Sequence, residues 1–323
     1  MARRDRLTLG FFFTASQHLA AFPVRVSGTE IDVMLIDLES GARTKLASKG
    51  FNLLSPSLSN DGERILLVRN SSQTGEYALL SCVIASFSCR RLVESKASIN
   101  SPTEICPGTI LYVSSPRKVL PGVRSQYRQH DLWILGKDES PRQLTDFRFF
   151  EMDWLSPTSG SIFFSAMGPR DKQTIPKFAP LASSDSDIFR LTFNPAQCLV
   201  EQAAATLTPL FLGNGRSTAA TVAGDETIAA LLRTETRVGG YRYDLVIMDL
   251  LAQGSRVFES SGLGFSRPAL VDRTVVVREI FDDRYVISRL PLGDPTIKPI
   301  AEITDASIAS TQVIEIQVEP ERQ

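Results

Sequence analysis

Ser57-Leu-Ser-Asn-Asp-Gly-Glu-Arg-Ile-Leu-Leu-Val-Arg69 is the clearest of several similar segments that recur toward the C-terminus. It predicts a β-hairpin with a short first strand, a turn at residues 60–63 and an apolar strand at residues 65–68. Asn, Asp and Gly suit such a turn because they tolerate positive φ or hydrogen-bond their own backbone. The branched apolar run suits a strand that is buried on both faces.

A second pattern alternates with the hairpin: an acidic or polar residue, an apolar strand, a turn and a short strand. Its six copies begin at Asp32, Tyr77, Asp131, Asp187, Asp244 and Asp283. The five apolar hairpin strands between them are residues 65–68, 110–113, 162–165, 228–232 and 275–277. The repeating unit is therefore four antiparallel strands in about 40 to 60 residues, which is typical of a propeller blade.

The mismatch between five hairpins and six copies of the second pattern predicts how the ring closes. Residues 307–318 have the missing form, a short strand, a turn and an alternating strand. We predict an all-β, six-bladed β-propeller with four antiparallel strands per blade, in which N- and C-terminal segments share one blade and close the ring. Residues before about Val24 would then lie outside the ring. The predicted domains are residues 1–22, a signal peptide or disordered N-terminus, and residues 23–320, a single propeller.

Several of these segments resemble the TolB-like β-propeller repeat. Residues 59–65 resemble its Ser-Pro-Asp-Gly hairpin with Asn60 in place of proline, and residues 156–162 are similar with two substitutions. Residues 131–134, followed by 142–146, resemble its Asp-Leu-Trp and Arg-Gln-Leu-Thr strand pair. The resemblance covers about residues 24–318 and implies the fold. The same repeat occurs in TolB, in prolyl-peptidase-type enzymes and in some pectate-degrading lyases. This sequence shows no counterpart of TolB's α/β domain or of the peptidases' hydrolase domain, so no active-site residue carries over.

Charge and hydropathy limit the classes of partner and the location. The 323 residues carry a formal net charge of −1, which gives no basis for binding nucleic acid or an acidic membrane surface. No apolar run approaches the roughly 18 residues of a transmembrane helix.

Residues 1–22 combine a basic start, an uncharged apolar run and small residues, as a secretory signal does. A first β-strand or a misassigned start codon is the alternative. We expect a periplasmic or extracellular protein, or a cytoplasmic one if the N-terminus is not a signal.

The cysteines and histidines do not form a recognisable metal or catalytic pattern. The four cysteines lack zinc-site spacing and the chain has only two histidines, so we predict no metal and no cofactor. Cys82 and Cys89 flank a predicted turn on antiparallel strands, which fits either a disulfide or two buried thiols. The Gly-x-Ser-x-Gly motif of serine hydrolases is absent, and neither His18 nor His130 is well placed as a base. Whether the protein is an enzyme stays open, with a non-catalytic role favoured.

Long basic loops are the feature of the sequence that indicates a binding function. The loops between the second and third strands of all blades emerge on one face, and here they are long and rich in Arg and Tyr. Such a mixture suits a protein interface or an anionic ligand, although merely solvated loops would look alike. We predict a monomeric binding or scaffold protein that recognises a protein or small anionic ligand. The alternatives are a hydrolase or lyase acting on carbohydrate or peptide, and an accessory subunit of a larger enzyme or envelope complex. The predicted binding residues are Arg117, Lys118, Arg124, Tyr127, Arg128, Arg170, Lys172, Arg237, Tyr241 and Arg242.

Overall fold

The structure is a computed structural model. It describes residues 12–27, 30–59, 61–71, 73–115, 117–118, 127–128, 130–137, 139–145, 151–158, 160–167, 187–192, 207–210, 217–222, 227–235, 241–251, 254–294 and 296–319.

Six antiparallel sheets are arranged as the six blades of a β-propeller, and their strands follow one another in chain order. Blade 1 holds β1 (Thr14–Ala15), β2 (Leu19–Ser27), β3 (Glu30–Asp37) and β4 (Arg43–Ala47). Blade 2 holds β5 (Asn52–Leu58), β6 (Arg64–Asn70), β7 (Tyr77–Val83) and β8 (Ser88–Ser95). In blade 3, β9 (Ser98–Cys106) and β10 (Thr109–Ser115) precede a small ribbon of β11 (Arg117–Lys118) and β12 (Tyr127–Arg128), followed by β13 (Asp131–Leu135) and β14 (Arg142–Gln143).

The second half of the ring repeats this arrangement. Blade 4 holds β15 (Glu151–Pro157), β16 (Ser161–Met167), β17 (Asp187–Thr192) and β18 (Leu207–Leu210). Blade 5 holds β19 (Ser217–Val222), β20 (Thr227–Glu235), β21 (Tyr241–Asp249) and β22 (Gly254–Phe258). In blade 6 the first strand is split into β23 (Gly264–Phe265) and β24 (Ala269–Val271), before β25 (Thr274–Ile280), β26 (Arg284–Pro291) and β27 (Lys298–Thr304). Helix α1 (Asp305–Ser310) and strands β28 (Val313–Glu315) and β29 (Gln317–Val318) follow.

The core is divided among the interfaces between neighbouring blades. A cluster of buried apolar residues lies at each of the six interfaces, including the one between blades 6 and 1. Between blades 3 and 4, for example, Val113, Phe164 and Leu191 are fully or almost fully buried. The apolar strands of the repeat are thus buried on both faces, as their sequences predict.

The hairpin turn of blade 2 shows why its residue types recur. Gly62 has φ of +71°, which favours glycine, and its N–H donates to the carbonyl oxygen of Ser59. Asp61 accepts hydrogen bonds from the hydroxyl of Ser59 and from the backbone N–H of Glu63. Both bonds lower the pKa of the Asp61 carboxyl below its usual value, and the bond from Ser59 has the larger effect.

The aspartate of the second pattern ties the third strand of a blade to the segment that follows the fourth. Asp131 accepts a hydrogen bond from the Thr145 hydroxyl at 3.0 Å. The same Thr145 hydroxyl oxygen accepts a hydrogen bond from the backbone N–H of Leu132. In blade 5, Asp244 accepts the backbone N–H of Ser260 at 2.9 Å. Both aspartates are buried, so these bonds satisfy carboxylates that would otherwise be costly to desolvate.

The N-terminal segment lies inside the ring, and the prediction that residues before about Val24 lie outside it is wrong. Strand β2 pairs with β3 along its length, and β1 pairs with β2. Phe13 and Phe22 are buried at the interface between blades 6 and 1. The predicted boundary between residues 22 and 23 therefore falls within β2. Residues 1–11 lie outside the described part of the chain, and a leader there stays a prediction.

The chain termini share blade 1, as predicted, but in a different way. Strand β28 adds to the outer edge of β4 in parallel, and β29 adds to the outer edge of β8 in blade 2. The second strand of blade 1, which we predicted to come from the C-terminus, is β2. The C-terminus instead contributes an outer strap (residues 305–319) across blades 1 and 2. Ile316 of this strap is buried between those blades, and Lys45 and Ile316 form backbone hydrogen bonds that join the strap to blade 1.

The described cysteines are all oxidised. Cys82 and Cys89 face each other on β7 and β8 and form a disulfide buried beneath the strap. Cys106 is also disulfide-bonded. Since Cys198 is the only other cysteine in the sequence, we expect a Cys106–Cys198 bond.

Thiol titration of the unreduced, denatured protein should find no free thiol, and peptide mapping should find the peptide that contains Cys106 linked to the peptide that contains Cys198. Two reactive thiols per chain, from Cys106 and Cys198, would contradict this pairing.

Candidate binding surface

The connection between β10 and β13 brings four predicted binding residues onto one two-stranded ribbon. Arg117 pairs with Arg128, and Lys118 pairs with Tyr127, in antiparallel register. Because second-to-third-strand connections all emerge at the same end of a propeller, this ribbon extends from the face that the sequence predicts to bind. We refer to that end of the ring as the connection face.

Blade 5 also extends toward the connection face, because β20 and β21 remain paired to their ends. Tyr241 pairs with Glu235, and Arg242 pairs with Thr234. The predicted residues Arg124, Arg170, Lys172 and Arg237 lie outside the described residues. The structure therefore places six of the ten predicted binding residues, four of them on the ribbon and two on blade 5.

The charge of Arg242 is engaged within its own chain. Its Nε lies 2.9 Å from Asp244 Oδ1, and its Nη2 lies 2.8 Å from Glu259 Oε2. Hydrogen bonds to Glu259 and then to Asp244 raise the pKa of the Arg242 guanidinium. Glu259 follows β22, so its approach to Arg242 depends on the folded blade and is not visible in the loop sequence. Arg242 is consequently a weaker candidate for an external anion than its sequence position indicates.

A further arginine on the connection face was not predicted. Arg69, near the end of β6, lies over the ring of Phe51, with its guanidinium carbon 4.2 Å from the ring centroid. Phe51 is 36% exposed although it is a large apolar residue. Arg69 lies near the end of β6, and Phe51 directly precedes β5 of the same blade, so no short sequence motif joins them.

The opposite face carries a cavity on the propeller axis. Its volume is about 390 Å³, and its lining comes from blades 1, 2, 3, 4 and 6. The charged side chains at its wall are engaged within the chain: Arg64 pairs with Glu104 at 3.0 Å, and Arg267 donates to the carbonyl oxygen of Leu155 and to the hydroxyl of Ser156. Phe13 also lines the cavity, so the N-terminal segment forms part of its wall.

Within the described ranges, no group of three or more His, Cys, Asp or Glu side chains could hold a metal ion. The helical part of the described chain contains no segment long and apolar enough to cross a membrane.

Comparison with known proteins places the fold. No family model and no curated protein sequence matches the chain. Among solved structures, TolB from Acinetobacter baumannii superposes with a TM-score of 0.64 at 15% identity, covering 91% of this chain and 64% of that one. The β-propeller domain of the Trilobed protease from Pyrococcus furiosus, described as having an open velcro topology, gives 0.52 at 16% identity and covers 90% and 82%.

Enzymes are also among the similar structures. The acylaminoacyl peptidase from Pyrococcus horikoshii gives a TM-score of 0.55 at 10% identity, covering 92% of this chain and 53% of that one. These identities are too low to indicate a shared activity, and the chain spans less than two thirds of TolB. The predicted resemblance is therefore confirmed for the fold: the chain is a six-bladed β-propeller, and its fold is similar to that of TolB.

Proposed function

We propose that the protein is a non-catalytic binding or scaffold module that recognises a protein partner or an anionic ligand through its connection face. The observation that carries this proposal is the ribbon, whose register brings Arg117 next to Arg128 and Lys118 next to Tyr127. The four paired positions of the ribbon thus hold three basic residues and one tyrosine, a composition that favours an acidic partner. Arginine and tyrosine are also the residues that most often dominate binding energy at interfaces.

The same proposal includes a monomer in the periplasm or outside the cell. Oxidised cysteines support this location, since disulfides persist in oxidising compartments and are rare in the cytosol. A ring whose blades are all packed against neighbours is complete as one chain, which supports the monomer.

The test is affinity capture from the native source with three immobilised proteins: the wild type, an Arg117→Glu, Arg128→Glu variant and a matched control. The control, Arg90→Glu with Arg142→Glu, reverses two exposed charges on the outer strands β8 and β14. We expect one partner to be retained by the wild type and the control, and its recovery to fall at least about tenfold with the ribbon variant. A partner set that is the same for all three proteins would refute recognition through the ribbon.

The axial cavity supports a second candidate, a small polar ligand bound on the opposite face. Hydroxyls of Thr14, Ser57 and Thr103 line it beside apolar groups such as Ile105. Polar groups that converge on one cavity can fix the orientation of a small molecule. A hydrolase or lyase on this scaffold would use the same cavity. Thermal-shift screening of sugars and dipeptides against the wild type and a Thr103→Trp variant would test it, because the indole would fill the cavity and abolish any shift.

A further inference from the structure

The Cys82–Cys89 disulfide lies directly beside the C-terminal strap. Cys82 and Cys89 are opposite each other on β7 and β8, and Val318 of β29 is opposite Cys89 on the outer side. Both cysteines are 0% exposed, and β29 is the outermost strand of this sheet. Without the strap, β8 would be the edge strand of blade 2. The strap therefore covers the side from which a reductant would approach the bond.

The strap is also hydrogen-bonded to the segment that the disulfide closes into a loop. The backbone N–H of Gln317 donates to the carbonyl oxygen of Phe87 at 3.2 Å, and the N–H of Glu319 donates to that of Cys89 at 2.9 Å. Phe87 has φ of +52°, in a region that bulky residues rarely adopt. The position of the Phe87 carbonyl therefore depends on a strained turn whose two ends are joined by the disulfide.

Loss of the bond would change the packing beneath the strap. Two thiols cannot remain at covalent bonding distance, so reduction must push the sulfur atoms apart within a close-packed cluster, and such overpacking is destabilising. Ile316 and Val318 of the strap belong to that cluster. On the inner side, Ile65 lies on β6, which is paired with a strand on both sides, whereas β29 has two residues and is paired only with β8. The strap is therefore the side of the cluster that yields.

We propose that the Cys82–Cys89 disulfide and the strap form a thiol-sensitive latch, in which reduction of the bond releases β29 from blade 2. The reductant is a dithiol. One of its thiolates attacks a sulfur of the bond to form a mixed disulfide, and the other cysteine leaves as a thiolate. The second thiol of the reductant then displaces the bound cysteine, so that both cysteines end as thiols and the dithiol as a disulfide. This latch does not depend on the connection face.

The coupling between bond and strap acts in both directions. If loss of the bond favours the released strap, release of the strap must favour reduction of the bond by the same factor. The chain also supplies an internal control, because Cys106 ends β9 of blade 3, whereas β28 and β29 pair with blades 1 and 2. Reduction of the Cys106 disulfide should therefore not respond to changes in the strap.

The first test is the rate at which dithiothreitol reduces each bond in the folded protein, measured by alkylation and peptide mass spectrometry. Gln317→Pro removes the N–H that donates to Phe87, and Gln317→Ala is the matched control, because it keeps that N–H and removes an exposed side chain. We expect Gln317→Pro to speed reduction of the Cys82–Cys89 bond at least about tenfold, and Gln317→Ala to keep the wild-type rate. The rate at Cys106 should be the same in all three proteins. Equal rates for the Pro and Ala variants at Cys82–Cys89 would mean that the strap does not protect the bond.

The second test is amide hydrogen exchange of the strap in the wild-type chain, before and after reduction, and in a Cys82→Ala, Cys89→Ala variant that keeps the Cys106 bond. We expect exchange at residues 316–319 to rise at least about tenfold in both forms that lack the Cys82–Cys89 bond, and exchange in β20 to stay unchanged.

Three results of this second test would overturn the latch. Unchanged exchange of the strap would mean that the bond is only a local staple. An equal rise in β20 would indicate loosening of the whole ring. A rise in the reduced wild type alone would assign the effect to the Cys106 bond. Because the wild-type chain is measured, this test holds even if Gln317→Pro does not fold.

Discussion

A chain that begins at Pro23 is expected not to fold, whereas a chain that begins at Phe12 is expected to fold as the full-length chain does. The shorter chain lacks β1 and the first part of β2, and with them Phe13, Ala20, Ala21 and Phe22, whose exposed fractions are between 0% and 1%. Loss of a buried phenylalanine side chain costs about 3 to 5 kcal/mol. Two such losses amount to about 6 to 10 kcal/mol, which is comparable with the whole stability of a typical domain.

Far-UV circular dichroism and thermal unfolding of the two truncated chains would check this expectation. The chain from Phe12 is the matched control, because it lacks residues 1–11 but keeps β1 and the whole of β2. A cooperative transition for the chain from Pro23 at the melting temperature of the control would contradict the role of β1 and β2. It would also restore the prediction that the ring starts near Val24. By the same argument, a leader that is removed before folding must end ahead of Phe13.

The sequence predicted the blades where the signal is local. The turn around Gly62 requires a residue with positive φ and a carboxylate that accepts a hydrogen bond from the turn. Gly62 and the adjacent Asp61 supply these two features, so both are visible in the sequence. Likewise, Asp131 and Thr145 bond to each other within one blade and lie in one short stretch of sequence. Six copies of such local chemistry were enough to predict the fold class and the number of blades.

The sequence did not predict features that arise from contacts between distant segments. The β2 segment, Leu19–Ser27, is apolar and rich in small residues, and those properties suit a leader as well as a strand buried on both faces. Only its packing against blade 6 distinguishes the two. For the binding surface, Glu259 approaches Arg242 and Phe51 approaches Arg69 from other segments of the same blade, so loop composition alone overestimated one arginine and missed the other.

Arg278 is expected to contribute strongly to ring closure through its volume. It lies on β25 of blade 6, is 0% exposed, and its guanidinium carbon is 4.1 Å from the ring centroid of Phe22, 4.8 Å from that of Tyr285 and 5.8 Å from that of Phe13. Two of these rings belong to the N-terminal segment. The side chain therefore fills the space in which blade 6 meets blade 1.

Arg278→Ala should lower the free energy of unfolding by about 3 to 5 kcal/mol, because it leaves a cavity among three rings in a core that packs densely. Arg278→Met should cost about 1 to 2 kcal/mol, since methionine keeps most of the volume, its sulfur contacts aromatic rings favourably and no charge remains to be buried. Urea unfolding of both variants measures the difference, with equal m-values showing that the folded states are comparable. Equal losses for Ala and Met would mean that the positive charge, rather than the packing, joins the two blades.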